Sequence, residues 1–298
     1  MKTYKYSELI SYQNTIENFF LKHKIELSPT SRIIEYFNYL KIIEGKRTSD
    51  KKSLNKLIRE DKAKYYFSLF YVLDIYKIIN SLDKASQSKT IVRKKLLDLM
   101  KGTYLLSREN SDNTKARNTG FELSFFSILY SGGLAVKLCD PNPDIELKSN
   151  SFTYNIECKR PQSVRSLEKN LKGAMKQIRK MGLSATKQIP VIVLSVDKIF
   201  FDRNDLILNS KDEKTARSFL EGKLRDFSKN SLRTVNKVIG DGQCIVISYL
   251  SCLVDLRNYG FMSSANFIDC NIYNFEKNLS NCIYSDLKTL LSKSFPSV

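Results

Sequence analysis

The feature that most constrains this chain is a change of period. Before Leu134 the apolar residues recur only at helical spacing. After it, short strand-like runs alternate with helices. Ile33, Ile34, Phe37, Leu40 and Ile43 fall three or four apart, which lines one face of a helix. Ser28-Pro29-Thr30-Ser31 precedes them and supplies N-cap candidates. Lys56 to Ile79 forms a second helical pattern, rich in aromatics, and Ile91 to Met100 a third, ended by Gly102. Residues 1–105 are therefore expected to be an all-helical region without a strand of five or more residues.

The remainder, residues 106–298, reads differently. Thr114 to Tyr130 has a helical pattern stopped by Gly132-Gly133. Leu134 to Leu138, Asp144 to Leu147 and Phe152 to Lys159 read as three strands, the last two joined by the polar turn Lys148-Ser149-Asn150-Ser151. An amphipathic helix over Ser163 to Met181 follows. The run Ile189 to Val196 is almost continuously apolar, as in a strand buried on both faces. A helix over Glu213 to Val238, a strand over Cys244 to Tyr249 and a helix over Leu279 to Leu291 complete the pattern. The order predicts an α/β fold with a mixed central sheet flanked by helices, beginning near Asn113.

Length and charge narrow the function. The 298 residues, 42% of them hydrophobic, suffice for one large domain or two ordinary ones. The formal net charge of +18 attracts polyanions; nucleic acid is the first candidate and an anionic membrane surface the second. The most apolar stretch, Tyr65 to Ile79, carries Asp74 and Lys77 and is too short to span a bilayer. The beginning of the chain shows no apolar signal core, and Glu8 and Glu17 come early. A cytoplasmic protein without membrane partners is expected. Six cysteines form no CxxC pair, and several sit in apolar runs, which suits small buried side chains. His23 is the single histidine, so a histidine zinc site and a Ser–His triad are both excluded.

The chemistry concentrates between residues 144 and 159. Asp144 follows Asn142-Pro143, and twelve residues separate it from Glu157-Cys158-Lys159. At period two Thr153, Asn155, Glu157 and Lys159 share one strand face, while Tyr154, Ile156 and Cys158 take the other. A hairpin brings Asp144 beside Glu157. Two carboxylates with one lysine suit a hard cation, Mg²⁺ with Mn²⁺ as its substitute, rather than zinc. Pro-Asp turns and Glu-x-Lys triplets are common in a lysine-rich chain, and a charged strand face is ordinarily just solvated, so this match alone decides nothing. Three surrounding features add weight. Glu122 is a lone acid among Phe121, Phe125 and Phe126. The 163–181 helix opposes an apolar stripe (Val164, Leu167, Leu171, Ala174, Ile178, Met181) to a basic one (Lys169, Lys172, Lys176, Lys180), with Gln177 on the boundary beside Gly173. Arg160 follows the motif as a cation able to face phosphate.

Over roughly residues 115–200 this arrangement resembles the PD-(D/E)XK nuclease superfamily. The resemblance implies a restriction-endonuclease-like core: a helix with an acid, a strand meander carrying D…ExK, and a helix often bearing Gln. It matches Glu122 to the helix acid, Asp144 and Glu157 to the metal ligands together with the Cys158 backbone carbonyl, Lys159 to the catalytic lysine and Gln177 to the helix glutamine. It further implies a Mg²⁺-dependent endonuclease, with DNA favoured over RNA, Lys169, Lys172, Lys176, Lys180 and Arg160 on the nucleic acid, and a role in phage defence or DNA processing. Many such proteins dimerise; the N-terminal helical region, which resembles nothing nameable, is the place expected for a partner protein or a second copy. The competing readings are a basic nucleic-acid-binding module with a vestigial metal site, and a helical scaffold or membrane-surface protein in which the D…ExK match is accidental.

Overall fold

The computed structural model describes residues 4–104, 109, 114–182, 187–201, 207–256 and 261–295. Five helices come first: α1 (Tyr6–Lys22), α2 (Arg32–Ser49), α3 (Lys51–Glu60), α4 (Lys62–Lys84) and α5 (Lys89–Leu99). No strand lies among the described residues of this stretch. The Ser31 hydroxyl accepts a hydrogen bond from the Ile34 amide and caps α2. The single helix expected over Lys56 to Ile79 is in fact two. Asp61, at φ −131 and ψ 50, leaves helical geometry and separates α3 from α4. The expected start of the second region near Asn113 lies outside the described residues.

Next come α6 (Lys115–Ser131), β1 (Ala135–Leu138), β2 (Ile145–Lys148), β3 (Thr153–Lys159), α7 (Val164–Lys180) and β4 (Gln188–Ser195). Gly133, at φ +75, takes the left-handed conformation that turns the chain out of α6 toward β1. β1, β2 and β3 form an antiparallel meander, and β4 runs parallel to β3. Such a parallel step needs a crossover, which α7 provides. The chain ends with α8 (Asp197–Phe200), β5 (Ile207–Ser210), α9 (Glu213–Ile239), β6 (Cys244–Leu256), β7 (Phe261–Tyr273) and α10 (Lys277–Ser294).

The seven strands form one mixed sheet in the order β1-β2-β3-β4-β6-β5, with β7 also on β6. β4 and β5 pair with successive parts of β6, and β7 pairs antiparallel along its whole length. The fold is thus α/β with a mixed sheet. β6 is longer than the expected Cys244–Tyr249 strand, and β5 and β7 were not expected. Ser251 interrupts the apolar run, and β7 mixes Ser, Asn and Asp among its apolar residues.

Alternation along the strands divides the core in two. Tyr154, Ile156, Cys158, Val191, Val193, Ile245 and Ile247 pack on one face against α1, α2, α4, α5, α6 and α10. Ile192, Leu194, Cys244 and Val246 pack on the other against α7 and α9. β4 is buried on both faces, which is why it reads as an unbroken apolar run. Leu9, Phe20, Ile33, Phe37 and Ile78 of the N-terminal helices belong to the same buried cluster as Phe125 and Tyr154. The large core of those helices is therefore the sheet's own. Each such side chain contributes about 1.5–3 kcal/mol on burial.

On α7 the apolar stripe is buried from Leu167 to Ile178. Val164 departs from the expectation at 64% exposed; as the first helical residue it precedes the contact with the sheet. All six cysteines are free, with Cys158, Cys244 and Cys252 buried. No described helix is long and apolar enough to cross a membrane.

Candidate functional site

The sheet opens where β2 meets β3. The ladder pairs Ile145 with Ile156, yet the Asp144 amide also donates to the Ile156 carbonyl, at 3.0 Å. β2 thus leaves register at Asp144. Its carboxylate Oδ2 takes over as partner of the Cys158 amide at 2.8 Å. In a strand the N–H and C=O of one residue leave on the same side. The Cys158 carbonyl is therefore directed to the Asp144 side of β3.

Glu157 pairs with Ile192 of β4, so it lies on the α7 face of the sheet, and its side chain is wholly buried. Lys159 reaches it with Nζ 3.1 Å from Oε2. Burial, and then the charge of Asp144, push the Glu157 carboxyl up to about 7. Glu122 approaches from α6. Burial and Asp144 push its carboxyl up to about 7 as well, against the pull of a neighbouring ammonium.

That ammonium belongs to Lys95 of α5, which the sequence reading missed. Lys95 Nζ hydrogen-bonds Glu122 Oε2 and lies 3.9 Å from Asp144 Oδ1. Burial opposes its charge, but the contact with Glu122 outweighs burial and its pKa rises. A signal existed. Lys95 falls on the stripe of Ile91, Val92, Leu96 and Leu99, so a lone cation occupies an otherwise apolar helix face.

Gln177 also reaches the site, through an intermediary. Its side chain meets the Asn142 amide at 2.9 Å. With the Asn142 amide turned over, its N–H donates to Glu157 Oε1 at 3.2 Å and to the Pro141 carbonyl at 2.7 Å, and the Gln177 amide must then turn as well so that its oxygen accepts from Asn142. Asn142 is a second residue the sequence reading missed; only its place two residues before Asp144 hinted at it.

Glu122, Asp144, Glu157, Lys159 and, through Asn142, Gln177 are thus brought together. Arg160 is not at a phosphate-facing surface, contrary to expectation. Its side chain is buried, with Nη1 2.6 Å from Glu109 Oε1 and Nε 3.5 Å from Asp197 Oδ2. Burial opposes its charge, but the two carboxylates outweigh burial and raise its pKa. The alternation that puts Lys159 on the α7 face with Glu157 puts the next residue on the opposite face. Lys169, Lys172, Lys176 and Lys180 are all exposed. Lys172 lies 2.8 Å from Glu168, which also takes Lys237 at 3.0 Å. Lys172, Lys176, Arg179 and Lys180 line a groove of about 470 Å³ whose wall includes Val238 of α9.

The donor set bears on a metal. Among the described residues no group of three or more His, Cys, Asp or Glu side chains is arranged to hold one. The lysines explain this, because Lys95 and Lys159 stand against the carboxylates. Mg²⁺ does not require such a cluster, since it commonly uses one or two carboxylates and keeps several waters. Asp144 and Glu157 meet that requirement in chemistry, both being buried oxygen donors. Comparison with known proteins adds nothing further: no family model, no curated protein and no solved structure matches this chain.

Proposed function

We propose that the protein is a metal-dependent nuclease of the PD-(D/E)XK kind, hydrolysing phosphodiester bonds, with DNA as the favoured substrate. One observation carries the reading. At the fork between β2 and β3, the buried carboxyls of Asp144 and Glu157, the half-buried Glu122 and two lysines converge from α5, α6, β3 and the residue before β2. The order α6-β1-β2-β3-α7, a helix, an antiparallel meander and a helix, is the order the family resemblance calls for.

Asp144 and Glu157 would hold Mg²⁺, joined by the Cys158 carbonyl, and Glu122 would complete the set directly or through water. Bound there, the ion would supply positive charge beside the scissile phosphate and lower the pKa of a water. Lys159, anchored on Glu157, would orient that water and stabilise charge growing on the phosphoryl oxygens. Gln177, through Asn142, would fix the Glu157 rotamer. Lys169, Lys176 and Lys180 would bind the phosphate backbone without reading bases.

The test is incubation of the purified chain with single- and double-stranded DNA and RNA, in Mg²⁺ and in chelator. Cleavage that needs the metal and vanishes in Asp144→Ala is expected. Absence of cleavage on all four substrates, with nucleic-acid binding retained, would turn the reading into a binding module with a vestigial site. Phage defence or DNA processing stands only as a setting that fits such an activity.

A further inference from the structure

α6 also borders a second site. A cavity of about 60 Å³ lies among α2, α4, α6, the end of β4 and the middle of β6. Three guanidiniums line it, those of Arg32, Arg117 and Arg160, and each residue is at most 6% exposed. Arg32 gives Nε and Nη2 to the Leu99 carbonyl at 3.2 and 2.7 Å, and no carboxylate lies within ion-pair distance of it among the described residues. Arg117 stacks on the Tyr71 ring at 4.6 Å. Arg32 Nη1, Arg117 Nε and Nη1 and Arg160 Nη2 are buried without a hydrogen-bond acceptor among the described residues.

The acids do not balance these cations. Glu109 lies 2.6 Å from Arg160 and 3.3 Å from Lys198, with Arg117 Nε 3.9 Å away, and Asp197 takes Arg160. Asp74, the other acid on the wall, accepts from Ser124 at 2.7 Å, and burial raises its carboxyl pKa. Among the described residues, the four basic side chains Arg32, Arg117, Arg160 and Lys198 thus outnumber the three carboxyls Asp74, Glu109 and Asp197. A buried donor left unpaired costs about 1–3 kcal/mol, and more when charged. Guanidinium forks aimed into one space match the geometry of an oxyanion.

We propose that this cavity binds one small tetrahedral oxyanion, with phosphate as its biological occupant. A water needs only about 10–15 Å³ measured this way, so the space holds a few waters or one such anion and excludes a nucleoside. The site stands independently of the nuclease reading. It ties α2 to α6 and to Arg160, the residue that follows Lys159, so its occupancy bears on the end of β3.

The test uses the full chain dialysed into phosphate-free buffer. Isothermal titration with phosphate and with sulfate should give saturable binding near one equivalent, and each anion should raise Tm. Sodium chloride at equal ionic strength should do neither; an equal effect would show general screening of the +18 charge and overturn the site. Arg32→Gln should weaken binding at least tenfold, and Asp74→Asn should tighten it. Ser251→Leu, which fills the cavity while keeping every charge, should abolish it. Unchanged affinity in Ser251→Leu, or no binding by the wild-type chain, refutes the proposal even if Arg32→Gln fails to fold. A nucleoside 5′-monophosphate serves as a further arm. Binding as tight as that of phosphate assigns the site to a terminal phosphate, and phosphate alone binding assigns it to the free ion.

Discussion

Lys95→Met isolates the residue that joins the N-terminal helices to the candidate site. The substitution keeps length and apolar volume and removes one ammonium. That ammonium touches Glu122 and lies 3.9 Å from Asp144, with both partners' side chains 10–14% exposed. Removing one member of a buried pair costs about 3–5 kcal/mol when the orphaned charge must remain. Here it need not remain. The Glu122 carboxyl already stands at about 7, so near neutral pH a proton neutralises it at little cost. We therefore expect a loss of about 1 kcal/mol at pH 6, rising toward about 3 kcal/mol at pH 8.5. The sign follows from linkage. A carboxyl whose folded pKa is raised holds its proton in the folded state, so stability falls as pH rises through the folded value. Without the competing ammonium, Mn²⁺ and Mg²⁺ should bind at least tenfold tighter, about 1.4 kcal/mol. Urea denaturation in chelator at the two pH values and calorimetric metal titration measure both effects. A pH-independent loss below about 0.5 kcal/mol with unchanged metal affinity would show that Lys95 is an ordinary solvated helix lysine.

Glu157→Gln should remove the part of the metal-free stability curve that declines between the ordinary carboxylate range and about pH 7, a difference of roughly 3 kcal/mol for one fully realised shift. Denaturation of both proteins across pH 5–8.5 checks it, and parallel curves would remove Glu157 from the charge cluster. Lys159→Ala keeps both carboxylates, so metal affinity should persist while single-turnover cleavage falls at least ~10²-fold. Near-normal turnover would exclude this lysine from the mechanism. Replacing Lys176 and Lys180 with alanine should lower the slope of log binding against log salt by about 0.7–0.9 per lost phosphate contact, equally for all sequences. Lys172→Ala should do less, because Glu168 already engages it; an unchanged slope in all three would show the stripe to be merely solvated.

What the sequence displayed follows from how locally each feature is encoded. β3 shows its two faces by period alone, so the burial of Tyr154, Ile156 and Cys158 and the convergence of Glu157 with Lys159 were legible. The Gly132-Gly133 stop and the Ser31 cap were legible because each is a backbone requirement met by one or two residues. Arg160 was misread because its position beside Lys159 says nothing about Glu109, fifty-one residues earlier, which draws it inward. Lys95 lies forty-nine residues before Asp144, and only tertiary packing of α5 against α6 brings them together. β7 stayed hidden because its pairing with β6, rather than its own apolar pattern, makes it a strand.

The charges at the fork carry one further step of argument. Glu122, Asp144 and Glu157 bring three negative charges when ionised, and Lys95 and Lys159 bring two positive ones, so these side chains alone are then one charge short of neutral. Burial first, and then the charge of Asp144, holds the Glu122 and Glu157 carboxyls at about 7. Under the proposed reading, one divalent cation takes the sum to plus one, and one phosphodiester, with its single charge, returns it to zero. Neither partner alone neutralises the site, whereas the pair does. The lysine contributed by α5 is what sets that sum. Without Lys95 the fork would carry two uncompensated charges, and a cation alone would satisfy it. Under that reading the N-terminal helices would tune the site toward metal and phosphate together, in addition to sharing the core on which α6 and β3 are packed.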